Sequence, residues 1–321
     1  PLAPLSALLA IAFLIAGLII LVLDLGKPDR LIVAMTTYNF KSIFAWNIFL
    51  YSGFAVVLAA YIWTMLDREV NRFSKYVGTF AFGWRIILTT GTGSIFGFLV
   101  AREAYATAIL APLFIVMSLL YGTAVYFLIL KTISKFHKTY ISNDILMNLR
   151  RLTVMFLFAN LYFLFLYHIT NMYIAKHVEY EIFILSNGGI YTFAFWLGQL
   201  LIGIILPIIV INSKKLCNEL SLIISSILIL IGSFVAMYVI IIGGQAYPLT
   251  IFPDHIIIES SFYDNVIHSY VPSLYEFGLG LGGVALALII VLIGIANFKF
   301  LPTLIKSPKK NLSDEQENTA G

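Results

Sequence analysis

Eight stretches of about 20 mostly apolar residues recur along this chain, and a helix needs about 20 such residues to cross the hydrocarbon core of a bilayer. They run over 4–23, 43–66, 78–100, 109–131, 152–174, 190–211, 220–242 and 275–298. The expected fold is therefore all-α, a polytopic transmembrane bundle of about eight spanning helices. Composition excludes a soluble domain: 60% of the residues are hydrophobic and 11% charged, where soluble chains carry roughly 25% charged residues. One transmembrane domain is expected over 1–306, with a first bundle over about 1–105, a second over about 106–245 and the last helix at 275–300. The polar stretch 307–321 is expected as a disordered cytoplasmic tail. Because Pro1 leads straight into an apolar helix, further helices are expected upstream; a cleaved signal peptide fits less well.

The net charge of +4 implies no nucleic-acid partner, since in a membrane chain the distribution of basic residues sets orientation. Arg68, Arg72, Lys75, Lys131, Lys135, Lys138, Arg150, Arg151, Lys214 and Lys215 follow the second, fourth and sixth spans, and Lys299, Lys306, Lys309 and Lys310 follow the eighth. The alternate connections hold only Lys27, Arg30, Lys41, Arg102 and Lys176. The first set is expected inside, with a cytoplasmic C-terminus, and segments 24–42, 102–108 and 243–276 at the outer face.

A single cysteine, Cys217, allows no internal disulfide, no CxxC zinc site and no iron–sulfur cluster of the chain's own. A bis-His haem needs two histidines on facing helices, and His168 alone lies within a span, while His137, His177, His255 and His268 fall in connections. Neither haem nor metal is expected in this chain, and any metal redox centre belongs to a partner.

Ionisable groups in or beside spans cost on the order of 2.5–3.5 kcal/mol to insert unpaired, which makes each a functional candidate. They are Asp24, Arg85, Arg102, Glu103, His168 and Glu276. Each also has a plainer reading. Arg85 could snorkel to the inner surface, Arg102 and Glu103 could pair with Asp24 or Arg30, and His168 could be a hydrogen-bonded packing residue beside Tyr167. The stretch Thr89-Thr90-Gly91-Thr92-Gly93-Ser94 lets a neighbouring backbone or a flat ligand approach closely, so it fits helix packing or a ligand wall alike. The long outer connection carries Gln245, Tyr247 and Tyr270; partner docking, a pocket lid and interfacial anchoring are all open for it.

Asp24-Leu25-Gly26-Lys27-Pro28-Asp29-Arg30, Asn39-Phe40-Lys41-Ser42 with Trp46, Thr90 to Ser94 leading to Ala101-Arg102-Glu103, and Tyr270 to Glu276 together resemble the NrfD/polysulfide-reductase membrane-subunit family, in its long ten-helix branch. That branch includes the Dsr, Hmc, hydrogenase-2 and alternative complex III membrane subunits. The resemblance implies that two helices precede those seen here, and that the chain binds menaquinone or ubiquinone without haem or metal. It further implies a ferredoxin-like iron–sulfur subunit docked on the outer face, with an additional catalytic or cytochrome subunit beyond it. Carried onto this sequence, Asp24 and Arg30 would shape the rim of the quinone pocket, Ser42 and Trp46 would brace it, and Thr90, Thr92 and Ser94 would line it. Arg85, Arg102, Glu103, His168 and Glu276 would serve a proton path, and Gln245, Tyr247 and Tyr270 would dock the partner. Many members carry a histidine near the start of the small-residue stretch of the third span, where this chain has Leu88, Thr89 and Thr90. The quinone's proton partner is then sought in Glu103 or Asp24. Two other functions fit a helix bundle: a secondary transporter, which would need a midplane site and broken helices, and a passive anchor for an extracytoplasmic enzyme.

Overall fold

The computed structural model describes residues 3–136, 141–213, 218–248, 267 and 270–298. Among them there is no strand. The helices are α1 (Ala3–Asp24), α2 (Asp29–Thr36), α3 (Ile43–Leu66), α4 (Ser74–Gly97), α5 (Leu110–Phe136), α6 (Asn143–Tyr173), α7 (Val178–Ile182), α8 (Ile190–Ile211), α9 (Asn218–Ala246) and α10 (Leu274–Asn297). All eight expected spans are helical, and seven are long and apolar enough to cross a membrane. The remaining one, α4, has 24 residues, and its Lys75, Arg85 and hydroxyl-rich stretch lower its hydropathy. The expected tail at 307–321, Cys217, and His137, His255 and His268 lie outside the described residues.

Local chemistry accounts for the shifted boundaries. Helix α6 starts at Asn143, well before the expected 152, because Ser142 caps it by accepting from the Ile145 N–H at 3.4 Å and Asp144 sits in its first turn. Helix α4 ends at Gly97 rather than 100, where the chain turns back so closely that a side-chain carbon on Gly97 would lie 2.8 Å from the Thr107 carbonyl oxygen. Two elements lay unread in the expected connections. One is α2, whose residues are largely exposed; the other is α7, which continues as a π-helical turn over Phe183–Asn187 and stops at Gly188-Gly189. Gly189 holds φ +56°, a left-handed conformation that suits glycine.

Helices α1, α3 and α4 pack together, with Leu14, Phe54, Leu58 and Leu88 at their centre. Helix α4 also lies against α5, and α10 packs on α1. A second group comprises α5, α6, α8 and α9, with the loop residues Ala104 and Tyr105 and helix α7 closing one end.

Helix α8 is π-helical over Ala194–Ile205 and α9 over Tyr238–Gly243, so helix irregularity is more extensive than the sequence suggested. Pro207, buried in α8, lacks an N–H for the Gly203 carbonyl and crowds it, and a widened turn relieves that clash. The same stretch meets α9 at its tightest crossing, where a carbon on Gly232 would lie 2.1 Å from Gly203 Cα. In a bilayer such approach replaces the hydrophobic effect as the force joining helices. Gly232→Ala is expected to destabilise the protein by about 1–3 kcal/mol, whereas Gly17→Ala, on a glycine with open space around it, leaves the melting temperature unchanged or raises it; thermal denaturation of the purified variants measures both.

Candidate functional site

The motif Thr89 to Ser94 lies in the C-terminal half of α4, and its glycines serve helix packing. Gly91 faces Asn47 and Leu50 of α3, and a carbon on Gly93 would lie 2.8 Å from Ala111 Cα of α5. The hydroxyls turn back on their own helix: Thr89 donates to Arg85 O at 2.9 Å, Thr90 to Ile86 O at 2.8 Å and Thr92 to Leu88 O at 3.0 Å. With their hydrogens committed, Thr90 and Thr92 offer acceptor lone pairs and not the donors that a carbonyl ligand needs.

A cleft of about 870 Å³ opens instead between α1, α3, α4 and α5. Its walls are apolar, from Leu9, Phe13, Leu14 and Leu18 of α1 and Leu119 of α5, and its polar lining comes from Arg85, Tyr51, Ser118, Thr123 and Tyr126. Arg85 sits midway along α4 and opens onto this cleft, so the inner-surface snorkelling reading gives way to an interior one. Its guanidinium carbon lies 5.6 Å from the Phe54 ring centroid, and among the described residues no carboxylate pairs with it. Tyr51, whose hydroxyl is 3.4 Å from Thr92 Oγ1, donates to it because Thr92's own hydrogen goes to Leu88. Thr92 thus reaches the cleft through Tyr51; Thr90 and Ser94 do not line it.

The expected rim residues stand outside this cleft. Asp24 and Arg30 are exposed, at the end of α1 and on α2. Ser42 precedes α3 without a side-chain cap. Trp46 is exposed, donates to Phe40 O at 2.9 Å and packs with Phe40 and Phe49, while Tyr38 extends this aromatic cluster beside α3. At α10, Glu276 closes a capping box: its carboxylate accepts from Ser273 N–H at 2.6 Å while Ser273 Oγ accepts from Glu276 N–H at 3.3 Å. Glu276 thus caps the start of α10. Tyr270 is exposed and interacts with Glu276.

Arg102 and Glu103 do not pair with Asp24 or Arg30. Arg102 donates to the Gln245 backbone carbonyl at 3.0 Å, clamping the C-terminal end of α9. Glu103 is half-buried; burial raises its pKa, Glu179 adds to the rise and Lys176 opposes it. Gln245 is exposed, but Tyr247 packs against Tyr180 and Phe183 and donates to Glu179 at 3.4 Å, so its ring serves the interior more than a docking surface. Burial, with Glu103 and Glu179 nearby, pushes the Tyr247 hydroxyl up to about 12.

Beneath these groups lies a buried polar cluster. His168 Nδ1 pairs with Glu181 Oε1, and Glu181, from α7, is fully buried. Asn171 donates to the other carboxylate oxygen at 3.2 Å and its own oxygen lies 3.4 Å from His177 Nδ1. Tyr167 donates to Ala104 O at 2.6 Å, and the Tyr105 hydroxyl reaches the carbonyls of Ile240 and Ile241 at 3.1 and 3.0 Å, in the π-helical turn of α9. Among the described residues no three His, Cys, Asp or Glu side chains converge as a metal-ligand set.

Residues 1–248 match the family model described as polysulphide reductase, NrfD. The chain belongs to that family. Among curated relatives, an Hdr-like menaquinol oxidoreductase integral membrane subunit from Archaeoglobus fulgidus is 28% identical, over 92% of this chain and 75% of the relative. The C subunit of selenate reductase from Mesobacillus selenatarsenatis is 22% identical over 96% and 78% of the two chains. The membrane C subunit of a putative dimethyl sulfoxide reductase from Halobacterium salinarum is 23% identical over 92% and 73%.

Sequence reasoning about this NrfD-family chain missed Glu181 and His177, because residues 175–189 read as an outer connection, and Asn171, because it is one uncharged polar residue near the end of an expected span. A signal was present: Val178-Glu179-Tyr180-Glu181-Ile182-Phe183-Ile184-Leu185 is too apolar for a solvated loop and ends in Gly188-Gly189. Tyr51 was missed as one aromatic among many.

Burial, reinforced by Lys176 and opposed by Glu181, lowers the pKa of His177 from its ordinary 6.5. The unfolded chain therefore takes up this proton first as pH falls, so stability is full above about 6.5 and is lost between 6.5 and the lower folded value. Melting temperatures of the wild type are expected to drop as pH falls through this window, and His177→Gln is expected to flatten that dependence.

Proposed function

We propose that this chain is the quinone-binding membrane subunit of a multi-subunit respiratory oxidoreductase. It exchanges electrons between a menaquinone-type pool and an iron–sulfur subunit on the outer face, and the assembly includes a further catalytic or cytochrome subunit. The observation that carries this reading is the cleft of about 870 Å³ with Arg85 on its wall. Its volume falls in the range of small-molecule sites, and it combines apolar walls with a few polar groups. A quinone supplies two carbonyl acceptors on a flat ring with an apolar tail. Arg85 brings N–H donors unpaired with any described carboxylate, and the Tyr51 hydroxyl adds another polar group beside it. The Phe13, Leu14 and Leu18 face of α1 suits the tail. The name of the Archaeoglobus relative, a menaquinol oxidoreductase subunit, supports the same ligand class.

In this reading the head group lies near Tyr51 and Arg85, deeper than the rim formed by Asp24, Arg30, Ser42 and Trp46. Tyr51 follows the start of α3 by eight residues, roughly 12 Å along the helix axis. The rim residues and the exposed Tyr38–Phe40–Trp46–Phe49 cluster then frame the outer entrance, while the basic residues at the opposite helix ends support the cytoplasmic assignment of that side. When bound, the quinone supplies two-electron, two-proton redox chemistry. The chain's own residues hold its oxygens and exclude water from the ring, and Glu103 at the outer boundary is placed to exchange protons with the aqueous phase.

Quinone extraction from the purified complex, joined to photo-crosslinking with an azido-quinone, tests this assignment. Bound quinone and label on α1, α3, α4 or α5 are expected, and Arg85→Leu is expected to lower quinone content at least tenfold in complexes that still assemble. Absence of both quinone and label would leave a passive anchor or a transporter as the function.

A further inference from the structure

Glu181 is 0% exposed in a helical bundle whose surroundings are lipid, and a carboxylate there is costly unless something balances it. Four different segments supply the balance. From α6, His168 Nδ1 pairs with one carboxylate oxygen and Asn171 donates to the other at 3.2 Å. From the turn Ala175–His177, the buried His177 ring lies 3.4 Å from the Asn171 side-chain oxygen. From α7 itself and the α4–α5 loop, the buried phenols Tyr180 and Tyr105, together with Tyr167 of α6, surround the same point. Helix α8 contributes no charge, only the Phe195 ring, which meets the His168 ring edge-on at 4.7 Å between centroids. Towards the outer surface lie Lys176, Glu179 and Glu103, whose charges interact with one another and with this cluster.

We propose that His168 and Glu181 form a proton-holding site at the outer end of the second helix group, exchanging one proton with the outer aqueous phase. In the loaded state one proton is shared between His168 Nδ1 and Glu181 Oε1, and the pair carries no net charge. Unloading passes that proton outward and leaves neutral imidazole beside a carboxylate. The remaining charge is held by the Asn171 N–H donor and by the Lys176 cation near His177. A tie that only fastened α7 to α6 could use an apolar contact or a neutral hydrogen bond. An acid and a base sharing one oxygen–nitrogen contact form instead a group that can hold and release a proton. This inference deepens the quinone-linked reading by providing a store for its protons outside the cleft, yet its test needs no quinone. A titrating pair in a chain without quinone would sink only that reading; a silent pair in a quinone-loaded chain would sink only this one.

The test is pH-difference infrared spectroscopy of the full chain in lipid nanodiscs, comparing wild type, Glu181→Gln and His168→Gln, with melting temperatures checking the fold. Wild type is expected to show a carboxyl signal and an imidazole signal titrating at one shared midpoint. Glu181→Gln should remove the carboxyl signal and move the imidazole one, and His168→Gln should remove the imidazole signal and move the carboxyl one. If the single variants fail to fold, the double variant His168→Leu/Glu181→Leu, which leaves no lone charge behind, should fold and lack the same two signals. Wild type without a titrating pair, or titrating signals that persist unchanged in Glu181→Gln or in the double variant, would overturn the proposal and make the contact a fixed ion pair.

Discussion

Lipid offers no hydrogen-bond partner, so every polar group within the bundle must find one in the protein. The backbone answers with helices, and the side chains follow the same constraint. Thr89, Thr90 and Thr92 return their hydroxyls to carbonyls one turn earlier in α4, and Thr123 and Thr132 do so in α5. Where a helix departs from its regular register, the freed carbonyls are taken up locally: the π-helical turn of α9 presents Ile240 and Ile241 to the Tyr105 hydroxyl. That bond places the α4–α5 loop over the end of the second helix group where α9 terminates, and Arg102 fastens it again through the Gln245 carbonyl.

The same constraint sets two charged groups apart. Arg85 faces a cleft, held by an aromatic ring and no described carboxylate, and is therefore available to a ligand. Glu181 is enclosed and fully engaged with His168 and Asn171. Availability suits the recognition of a ligand's oxygens, and enclosure suits the retention of a proton. The polar residues of the connections divide likewise: Asp24, Tyr270 and Glu276 gather by α1 and α10, whereas Glu103, Lys176, Glu179 and Tyr247 gather at the end of the second group.

Membrane insertion and helix count were legible because length and apolarity are properties of contiguous segments. Helix α3 has the same limits in sequence and structure, 43–66, since Ser42 and Asp67 interrupt an unbroken apolar run. The limits of α6 and α4 differ between the two, because Ser142 capping and the Gly97–Thr107 approach depend on geometry. At the candidate site Arg85 and His168 were legible as charged or titratable residues inside apolar spans. Thr90, Thr92 and Ser94 were legible as a motif, but the alternatives of packing and ligand lining look identical along a sequence.

The sequence by itself determined that this is a polytopic helical membrane protein and, through motifs spread over most of its length, which family it belongs to. The first follows from the local cost of placing each residue type in lipid, the second from particular residues at particular spacings. Only the tertiary structure decided that Tyr51 meets Arg85 at a cleft, that Gly203 and Gly232 set the crossing of α8 and α9, and that Glu181 of α7 reaches His168. Those outcomes depend on which helix faces meet, and contacts between segments far apart in the chain leave no periodic trace within either one.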